Sequence, residues 1–364
     1  MKSFLPILLL AVVAKAADAR DPQYAFGEIS IPAASAEEPR RADFSAAQAE
    51  DYLHKGALAW KGERKCISCH TTGLYLQTRP ALTPFLGKPD EEMRAFFVAQ
   101  LDVLGKQPRE SRLKATRPAQ AIYLALGLAE WDAHVMKKLS PETERALAAM
   151  FELQLDTGAW GALDCWPPYE SDSYHLATIA AAAAATAPGW LNTTAVSPLA
   201  GQVERLKAYL RTTPPPHDYS RVLLLHAATR MRDLLTAAQR DELIAMIVAQ
   251  QRRDGGWSMR TFAAPEAWGR GNRAARLKSE PDFTDPPSDG HMTGYAMVVL
   301  REAGVPASDA RLQRGVAWLK ANQRESGRWW TRSLNTDSAH YITYSGTAFP
   351  LLALALCDVL PRLP

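Results

Sequence analysis

The sequence predicts an all-α fold, a double-walled helical barrel in which amphipathic helices surround a ring of apolar helices. Helices with one polar face alternate along the chain with helices that are apolar on nearly every side, and the second kind must be covered all round. A seven-residue tag containing Gln, Gly and Trp also recurs three times. The composition agrees, because 364 residues, 47% hydrophobic and 22% charged, can bury one large core or two modest ones.

The N-terminus is typical of an export signal. Lys2 supplies a positive start, an apolar run covers residues 4–13, and small residues follow up to Arg20. Residues 1–19 are therefore predicted to be a signal peptide, which indicates a periplasmic or secreted protein. An N-terminal membrane anchor is the alternative. The later sequence has no apolar run of the roughly 18 residues that a membrane span needs.

The rest of the chain divides into three predicted parts. Residues 20–43 lack apolar periodicity and are predicted to form an extended lead-in. Residues 44–105 are predicted to be a short helical segment that carries a cysteine motif and resembles a cytochrome c, and residues 106–364 to be the barrel. The net charge of +3 comes without a dense run of Lys and Arg, which argues against nucleic-acid binding.

Two kinds of helix are predicted within the barrel. An amphipathic helix precedes each tag, at 142–154, 237–251 and 310–323. Runs that are apolar on nearly all sides occupy 119–131, 174–190, 219–231, 291–304 and 344–360. Several of these runs begin near residues suited to cap a helix, namely Asp172, Asp218, Asp289 and Ser345.

The three tags end at Trp160, Trp257 and Trp329, and each has Gln six positions and Gly two positions before its Trp. Gly permits a tight exit from the outer helix, while the Trp ring and the Gln amide can fasten one outer helix to the next unit. We therefore expect the tags to join paired helices into a ring. An ordinary helical array with fortuitous Trp positions is the alternative.

The string RGVAWLKANQRESGRW at 314–329 resembles the QW repeat of triterpene cyclases. The chain therefore looks like a member of the terpenoid cyclase and protein prenyltransferase superfamily over roughly residues 106–360. This resemblance implies an (α/α) toroid but does not fix an activity. The Asp-x-Asp-Asp acid motif of squalene-hopene cyclases is absent from the sequence, and there are residues for only one toroid, which disfavours polycyclisation of squalene.

The resemblance also implies a possible zinc site. Protein prenyltransferases bind zinc through an Asp, a Cys two residues later and a distant His. Here Asp289 and His291 resemble the first pair, and His340 ends an Asp-x-x-His string. The missing Cys removes the softest ligand, and capping of the inner helices explains the same residues, so zinc is disfavoured.

The string KCISCHTTG matches the attachment signature of c-type cytochromes. Cys66 and Cys69 would bond the two vinyl groups of haem c, and His70 would ligate its iron. Predicted export agrees with this interpretation, because haem c is attached outside the bacterial cytoplasm. A disulfide between the two cysteines and a metal site that uses His70 are open alternatives. Candidates for a second iron ligand are His54, Met93, His134 and Met136.

The first turns of the inner helices are expected to gather polar side chains in a rim around a chamber. The rim candidates for catalysis are Asp172, Asp289, Asp337 and Tyr344. The chamber candidates are Trp160, Trp166, His175, Tyr295, Trp329 and Trp330. An apolar, aromatic chamber suits an isoprenoid, since ring faces stabilise a carbocation.

Three functions follow from these patterns. The first is an exported toroid with haem c that acts with a redox partner in electron transfer, or binds a hydrophobic small molecule. The second is an isoprenoid-processing enzyme with an acid at the rim. The third is a catalytically inactive binding scaffold for a protein or carbohydrate.

Overall fold

The computed structural model describes residues 21–164, 166–169, 172–195 and 197–364. The predicted signal peptide, residues 1–19, lies outside the described residues. Among the helices in these described ranges, none has both the length and the apolar character needed to cross a membrane.

Six inner helices form a closed ring in the described part of the chain, because each contacts the next and the last contacts the first. Nearly every residue of the longer ones is buried, as the apolar runs predict. The inner helices are α2 (Thr72–Thr78), α6 (Arg117–Trp131), α8 (Ser173–Thr186), α11 (Asp218–Arg230), α14 (Gly290–Glu302) and α16 (Ile342–Leu356).

Six outer helices pack against this ring, and most bury one face only. They are α1 (Ala46–Arg64), α4 (Glu91–Gly105), α7 (Pro141–Glu152), α10 (Ala200–Thr212), α12 (Ala237–Ala249) and α15 (Ala310–Asn322). Short connecting helices are α3 (Thr83–Leu86), α5 (Arg109–Arg112), α9 (Trp190–Thr194) and α13 (Ala274–Lys278). The chain is therefore an (α/α) toroid, which confirms the predicted fold class.

The ring includes the segment that the sequence sets apart. Residues 44–105 provide the outer helices α1 and α4 and the inner helix α2, and α2 contacts both α6 and α16. The ring is thus complete only with this segment, and no boundary in the packing falls at residue 106. The difference arises because α2 has only seven residues and no Trp tag precedes it, so the repeat pattern misses this pair.

The predicted lead-in forms a small hairpin followed by a strap. Strands β1 (Tyr24–Phe26) and β2 (Ile29–Ile31) pair antiparallel and pack on α1. Further along, Glu38 forms an ion pair of 2.9 Å with the buried side chain of Arg328. The lead-in therefore joins α1 to the last tag, of which Arg328 is part.

The three tags form matching hydrogen bonds within their own units. Each Trp indole Nε1 donates to the carbonyl ten residues earlier, near the end of the preceding outer helix, at 2.7 to 2.8 Å. The acceptors are Met150, Ile247 and Leu319. Trp160, Trp257 and Trp329 are all fully buried, so the indole rings fix the turn between the outer and inner walls.

The Gln side chains of the tags join neighbouring units. Each Gln Nε2 donates to its own tag Gly carbonyl and to a carbonyl at the start of the next outer helix. For Gln323 the second acceptor is the carbonyl of Ser45, the N-cap of α1, at 2.9 Å. The last tag therefore fastens α15 to α1 and closes the ring.

All six inner helices begin at one end of the ring, which we call the mouth. There the side chains of four residues from the first turns of four inner helices lie in a row, each in contact with the next, namely His175, Tyr219, His291 and Ser345. At the opposite end Arg230 pairs with Glu130 and Glu302 from two other inner helices. Parallel inner helices direct the positive ends of their dipoles to the mouth.

Two predicted caps differ in the structure. His217 rather than Asp218 caps α11, its ring accepting from the backbone N–H of Ser220 at 3.2 Å, and Ser345 lies inside α16. The predicted caps Asp172 and Asp289 are confirmed for α8 and α14.

Candidate functional site

The cysteine motif occupies the connection between α1 and α2, residues 65–71. Lys65 ends α1 in a left-handed conformation, and the chain then turns inward so that Gly73 N–H donates to the carbonyl of Ser68 at 2.8 Å. This connection leads from the outer to the inner wall, as the Trp tags do in three other units. The motif therefore lies at the mouth of the toroid.

A cavity of about 360 Å³ opens beside the motif, and we call it the motif cavity. Cys66, Cys69 and His70 all line it. Its other walls come from α1, from the start of α6, and from the segments 166–169 and 333–342. Most of the larger lining side chains are aromatic or apolar, namely Trp60, Ile67, Trp166, Pro167, Tyr169, Tyr341 and Ile342.

The two cysteines differ in exposure. Cys66 is half-buried, whereas Cys69 is buried, with 6% of its surface exposed. Burial raises the pKa of the Cys66 thiol, which keeps it protonated at neutral pH. The structure does not join these two cysteines to each other in a disulfide.

His70 is held between aromatic rings. Tyr341 stacks on its face with a centroid distance of 4.9 Å, and Trp60 meets it edge-on at 4.6 Å. Its Nδ1 is hydrogen-bonded to Thr71 Oγ1 at 2.9 Å, which leaves Nε2 as the available nitrogen. Burial lowers the pKa of His70 to about 4, so the ring is neutral at pH 7 and its lone pair is available to a metal.

These residues fit a covalently attached haem. Attachment of haem c needs two thiols, and ligation of its iron needs an imidazole that faces the same space. Here all three side chains line one cavity whose walls are largely apolar. An aromatic and aliphatic lining also suits a large flat macrocycle and limits the access of water.

The four predicted second ligands do not line the motif cavity. Met93 is fully buried in α4, while His54 on α1 lies 3.7 Å from Asp90 and stacks against Tyr75. His134 pairs with Glu130 beyond the C-terminal end of α6, and Met136 follows in the same π-helical turn, Asp132–Met136.

His340, which the sequence places in the candidate zinc set, lines the motif cavity. Its Nδ1 accepts a hydrogen bond from the backbone N–H of Ser333 at 3.1 Å, and its ring packs against Trp330 at 4.7 Å. Burial lowers the pKa of His340 to about 4. The Asp-x-x-His string identifies this residue in the sequence. Its position beside the cysteine motif could not be predicted, because closure of the ring brings the two segments together.

The structure does not assemble the zinc set of Asp289, His291 and His340. The Asp289 carboxylate accepts from the backbone N–H groups of Met259 and Met292 at 2.6 and 2.9 Å. Both ring nitrogens of His291 are hydrogen-bonded, to Ser345 Oγ at 2.6 Å and Tyr219 OH at 3.2 Å. Within the described residues no three His, Cys, Asp or Glu side chains come together to hold a metal ion.

The rim candidates for catalysis are engaged in structural contacts. Asp172 and Asp289 accept from backbone N–H groups as caps, and burial raises the pKa of Asp289. Asp337 forms ion pairs with Arg276 and Arg332. Although burial raises the pKa of Asp337, the hydrogen bonds and charges of these two arginines bring it below its ordinary value. Tyr344 OH donates to the carbonyl of Leu53 at 2.7 Å.

The predicted chamber residues separate into three places. His175 and Tyr295 belong to a buried network inside the ring, in which they hydrogen-bond Tyr123 and His226 at 3.3 and 2.9 Å. Trp160 and Trp329 lie in the tag turns instead. Trp166, 49% exposed, lines the motif cavity, and Trp330 packs on His340 at the mouth.

Comparisons with known proteins give similarity to solved structures only. No family model matches the sequence, and no curated protein matches it. An ent-copalyl diphosphate synthase from Streptomyces platensis matches with a TM-score of 0.45 and 16% identity over 79% of this chain, which spans 50% of the length of that synthase.

A second similar structure is the type II terpene cyclase MstE from Scytonema, with a TM-score of 0.46 and 13% identity over 85% of this chain and 97% of that one. A variant of MstE in complex with geranylgeranyl dihydroxybenzoate, its substrate, matches with a TM-score of 0.45 and 13% identity over 86% of this chain and 99% of that one. These values describe a distant likeness of helical architecture and do not extend to the residues of a site.

Proposed function

We propose that this chain is an exported haem c protein, in which the toroid holds the haem at its mouth through Cys66, Cys69 and His70. The observation that carries the proposal is that these three side chains line one largely apolar cavity. Haem bound there supplies one-electron redox chemistry. The proposal includes a periplasmic or secreted location and a redox partner that approaches the mouth.

The surrounding residues prepare His70 as a ligand. Tyr24 OH lies 3.0 Å from Thr71 Oγ1, which in turn lies 2.9 Å from His70 Nδ1. This chain of hydrogen bonds holds the proton on Nδ1 and leaves Nε2 as the donor to iron. Trp60 and Tyr341 fix the plane of the ring from two directions.

The test is production of the full chain in bacteria that carry the haem-attachment machinery, followed by a pyridine haemochrome spectrum and haem staining on a denaturing gel. We expect covalent haem in the natural sequence and its loss in the double variant C66A/C69A. The control is C357A, because Cys357 ends α16 at the opposite end of the ring and lies outside the motif cavity. A correctly exported and folded protein without haem would contradict the proposal.

A second candidate is an isoprenoid-processing enzyme, favoured by the aromatic lining of the motif cavity. The engagement of Asp289 and Asp337 in a cap and in ion pairs favours the haem proposal over it. Mass spectrometry of lipids that copurify with the protein tests this candidate. A bound isoprenoid, together with turnover that D289N or D337N abolishes, would support it over the haem proposal.

A further inference from the structure

We propose that a second cavity at the mouth binds a small organic carboxylate through Arg40 and Arg324. The inference is independent of the proposed haem function, because neither arginine lines the motif cavity.

The second cavity has a volume of about 490 Å³, and we call it the strap cavity. Three parts of the chain supply most of its lining, namely the lead-in at 35–40, the segment 282–289 that leads into α14, and residues 318–332 around the last tag. It lies beside the motif cavity, since His340 lines both. The lead-in therefore encloses a space that the helices alone would leave open.

Two arginines lie side by side in the strap cavity. Arg40 of the lead-in and Arg324 of the last tag are directly opposite each other in an antiparallel bridge, and backbone hydrogen bonds of 2.8 and 3.0 Å flank this pair on both sides. In such a pair, which exchanges no hydrogen bond itself, the two side chains leave the backbone on the same face and at the closest spacing. Like charges that face each other in this way are destabilising.

The neighbouring acidic residues do not offset this repulsion. Burial and the charge of Arg40 lower the pKa of Arg324, and they outweigh the opposite effects of Glu38 and Glu37. Glu38 forms its ion pair with Arg328. The carboxylate of Glu37 accepts a hydrogen bond from a serine hydroxyl of the lead-in.

Both guanidinium groups have donors to spare. One terminal nitrogen of Arg324 donates to the carbonyl of Glu38, but its Nε is buried and has no hydrogen-bond partner. The Arg40 side chain is exposed and forms no hydrogen bond or ion pair with the described residues. An anion between the two groups would satisfy these donors and remove the repulsion.

Most other charged groups of the strap cavity already have partners on the protein. Arg260 pairs with Glu280, Arg332 pairs with Asp337, and the carboxylate of Asp289 caps α14. These groups therefore hold the walls of the cavity together and are not available to a ligand.

The remaining lining indicates the class of ligand. Asp282 lines the cavity and has no side-chain partner within the described residues, so the unengaged groups carry two positive charges and one negative charge. A monoanion balances them. Guanidinium forks match the planar oxygens of a carboxylate, and the half-buried rings of Trp318 and Trp330 offer an apolar surface to the body of the ligand.

The test is isothermal titration calorimetry of the full chain with sodium phenylacetate, which joins a carboxylate to an apolar ring. We expect saturable binding, and about ten- to hundredfold weaker binding in R40Q, because a hydrogen bond to the carboxylate is lost. Sodium acetate should bind more weakly than phenylacetate, since it lacks the ring. Without ligand, R40Q should be at least as stable to heat as the natural sequence, because it removes one of two facing like charges.

The control is R145Q, which removes an exposed arginine outside the strap cavity and should bind phenylacetate as the natural sequence does. Equal affinity of R40Q and the natural sequence would overturn the proposal, as would the absence of saturable binding. Acetate or inorganic phosphate that binds as tightly as phenylacetate would overturn the assignment of an organic carboxylate.

Discussion

At the scale of single residues, the buried histidines link stability to pH. Burial lowers the pKa of His175 and of His291 to about 3, whereas a histidine in the unfolded chain titrates near 6.5. Between these values the unfolded chain binds more protons than the folded one, so stability is fully present above pH 6.5 and falls as pH is lowered toward 3.

When the pH is lowered from 6.5 to 5, we expect each of these two histidines to lower the unfolding free energy by on the order of 2 kcal/mol. Urea unfolding curves across this range measure the loss. The variant H175N should show a weaker dependence on pH than the natural sequence, and H134N, at a partly exposed position, should resemble the natural sequence. Equal slopes for H175N and the natural sequence would contradict the assignment.

The sequence predicts the residues of the cysteine motif better than it predicts their surroundings. Cys66, Cys69 and His70 are adjacent in sequence, so their pattern alone indicates their shared chemistry. His340 lies 270 positions after His70 and becomes its neighbour only through closure of the ring. Asp289 could not be assigned from sequence, because an Asp before a helix has the same pattern whether it caps the helix or acts as an acid.

At the scale of helices and turns, the last tag depends on a glycine. Gly327 has a φ of +88°, and a Cβ added there would lie 2.4 Å from the carbonyl oxygen of Gln48 in α1. We expect G327A to lower the unfolding free energy by about 2 kcal/mol or more, because it combines backbone strain with a clash against backbone. Thermal and urea denaturation measure this effect.

The matched control is G105A, at the end of α4, where no atom lies within 4 Å of an added Cβ and φ is not positive. We expect G105A to change stability by less than about 1 kcal/mol. Similar losses for the two variants would mean that closure of the ring does not depend on the tag turn.

A buried charge cluster joins three inner helices at the end opposite the mouth. Arg230 on α11 pairs with Glu130 on α6 and Glu302 on α14. Burial raises the pKa of both carboxyl groups, but the charge of Arg230, together with the neighbouring His134 or His226 and the hydrogen bonds from these groups, brings both below their ordinary values. The two carboxylates are therefore ionised and share Arg230 as their cation.

We expect R230M to destabilise the protein by about 3 to 5 kcal/mol, since it leaves two buried carboxylates without their cation. The triple variant R230M/E130Q/E302Q should recover a large part of that loss, because it removes the uncompensated charges. Chemical denaturation of the three proteins measures both effects. A triple variant less stable than R230M would show that the cluster contributes by packing rather than by charge compensation.

At the same scale, sequence periodicity identified the helices with a strong pattern and missed the short one. The tag spacing correctly predicts that Gln fastens neighbouring units, as the bond from Gln323 to Ser45 shows, whereas the indole of Trp329 is hydrogen-bonded within its own unit. Helix α2 escapes detection because seven residues are too few to display a period of 3.6. The sequence therefore assigned its segment to a separate part.

At the scale of the whole molecule, the closed ring predicts that the protein unfolds as one unit. Helices α1, α2 and α4 cover the apolar faces of α6 and α16. A chain that begins at residue 106 would expose those faces. We expect this shortened chain to aggregate or to lack a cooperative thermal transition, whereas residues 21–364 should give a single transition.

Circular dichroism and size-exclusion chromatography distinguish these outcomes. Coexpression of residues 21–105 with residues 106–364 supplies the control, because the two pieces should associate and restore the transition. A stable, monomeric 106–364 with a cooperative transition would support the predicted division of the chain instead.

The hydrogen bonds between Gln323 and Ser45 have a consequence for the order in which the protein is made. Helix α1 is synthesised early, yet its partners α15 and α16 are among the last segments to leave the ribosome. The part of its surface that α16 covers stays exposed until nearly the whole polypeptide is available. Helix α1 therefore reaches its final packing only after α16 has been synthesised, and the nascent chain depends on protection from aggregation until then.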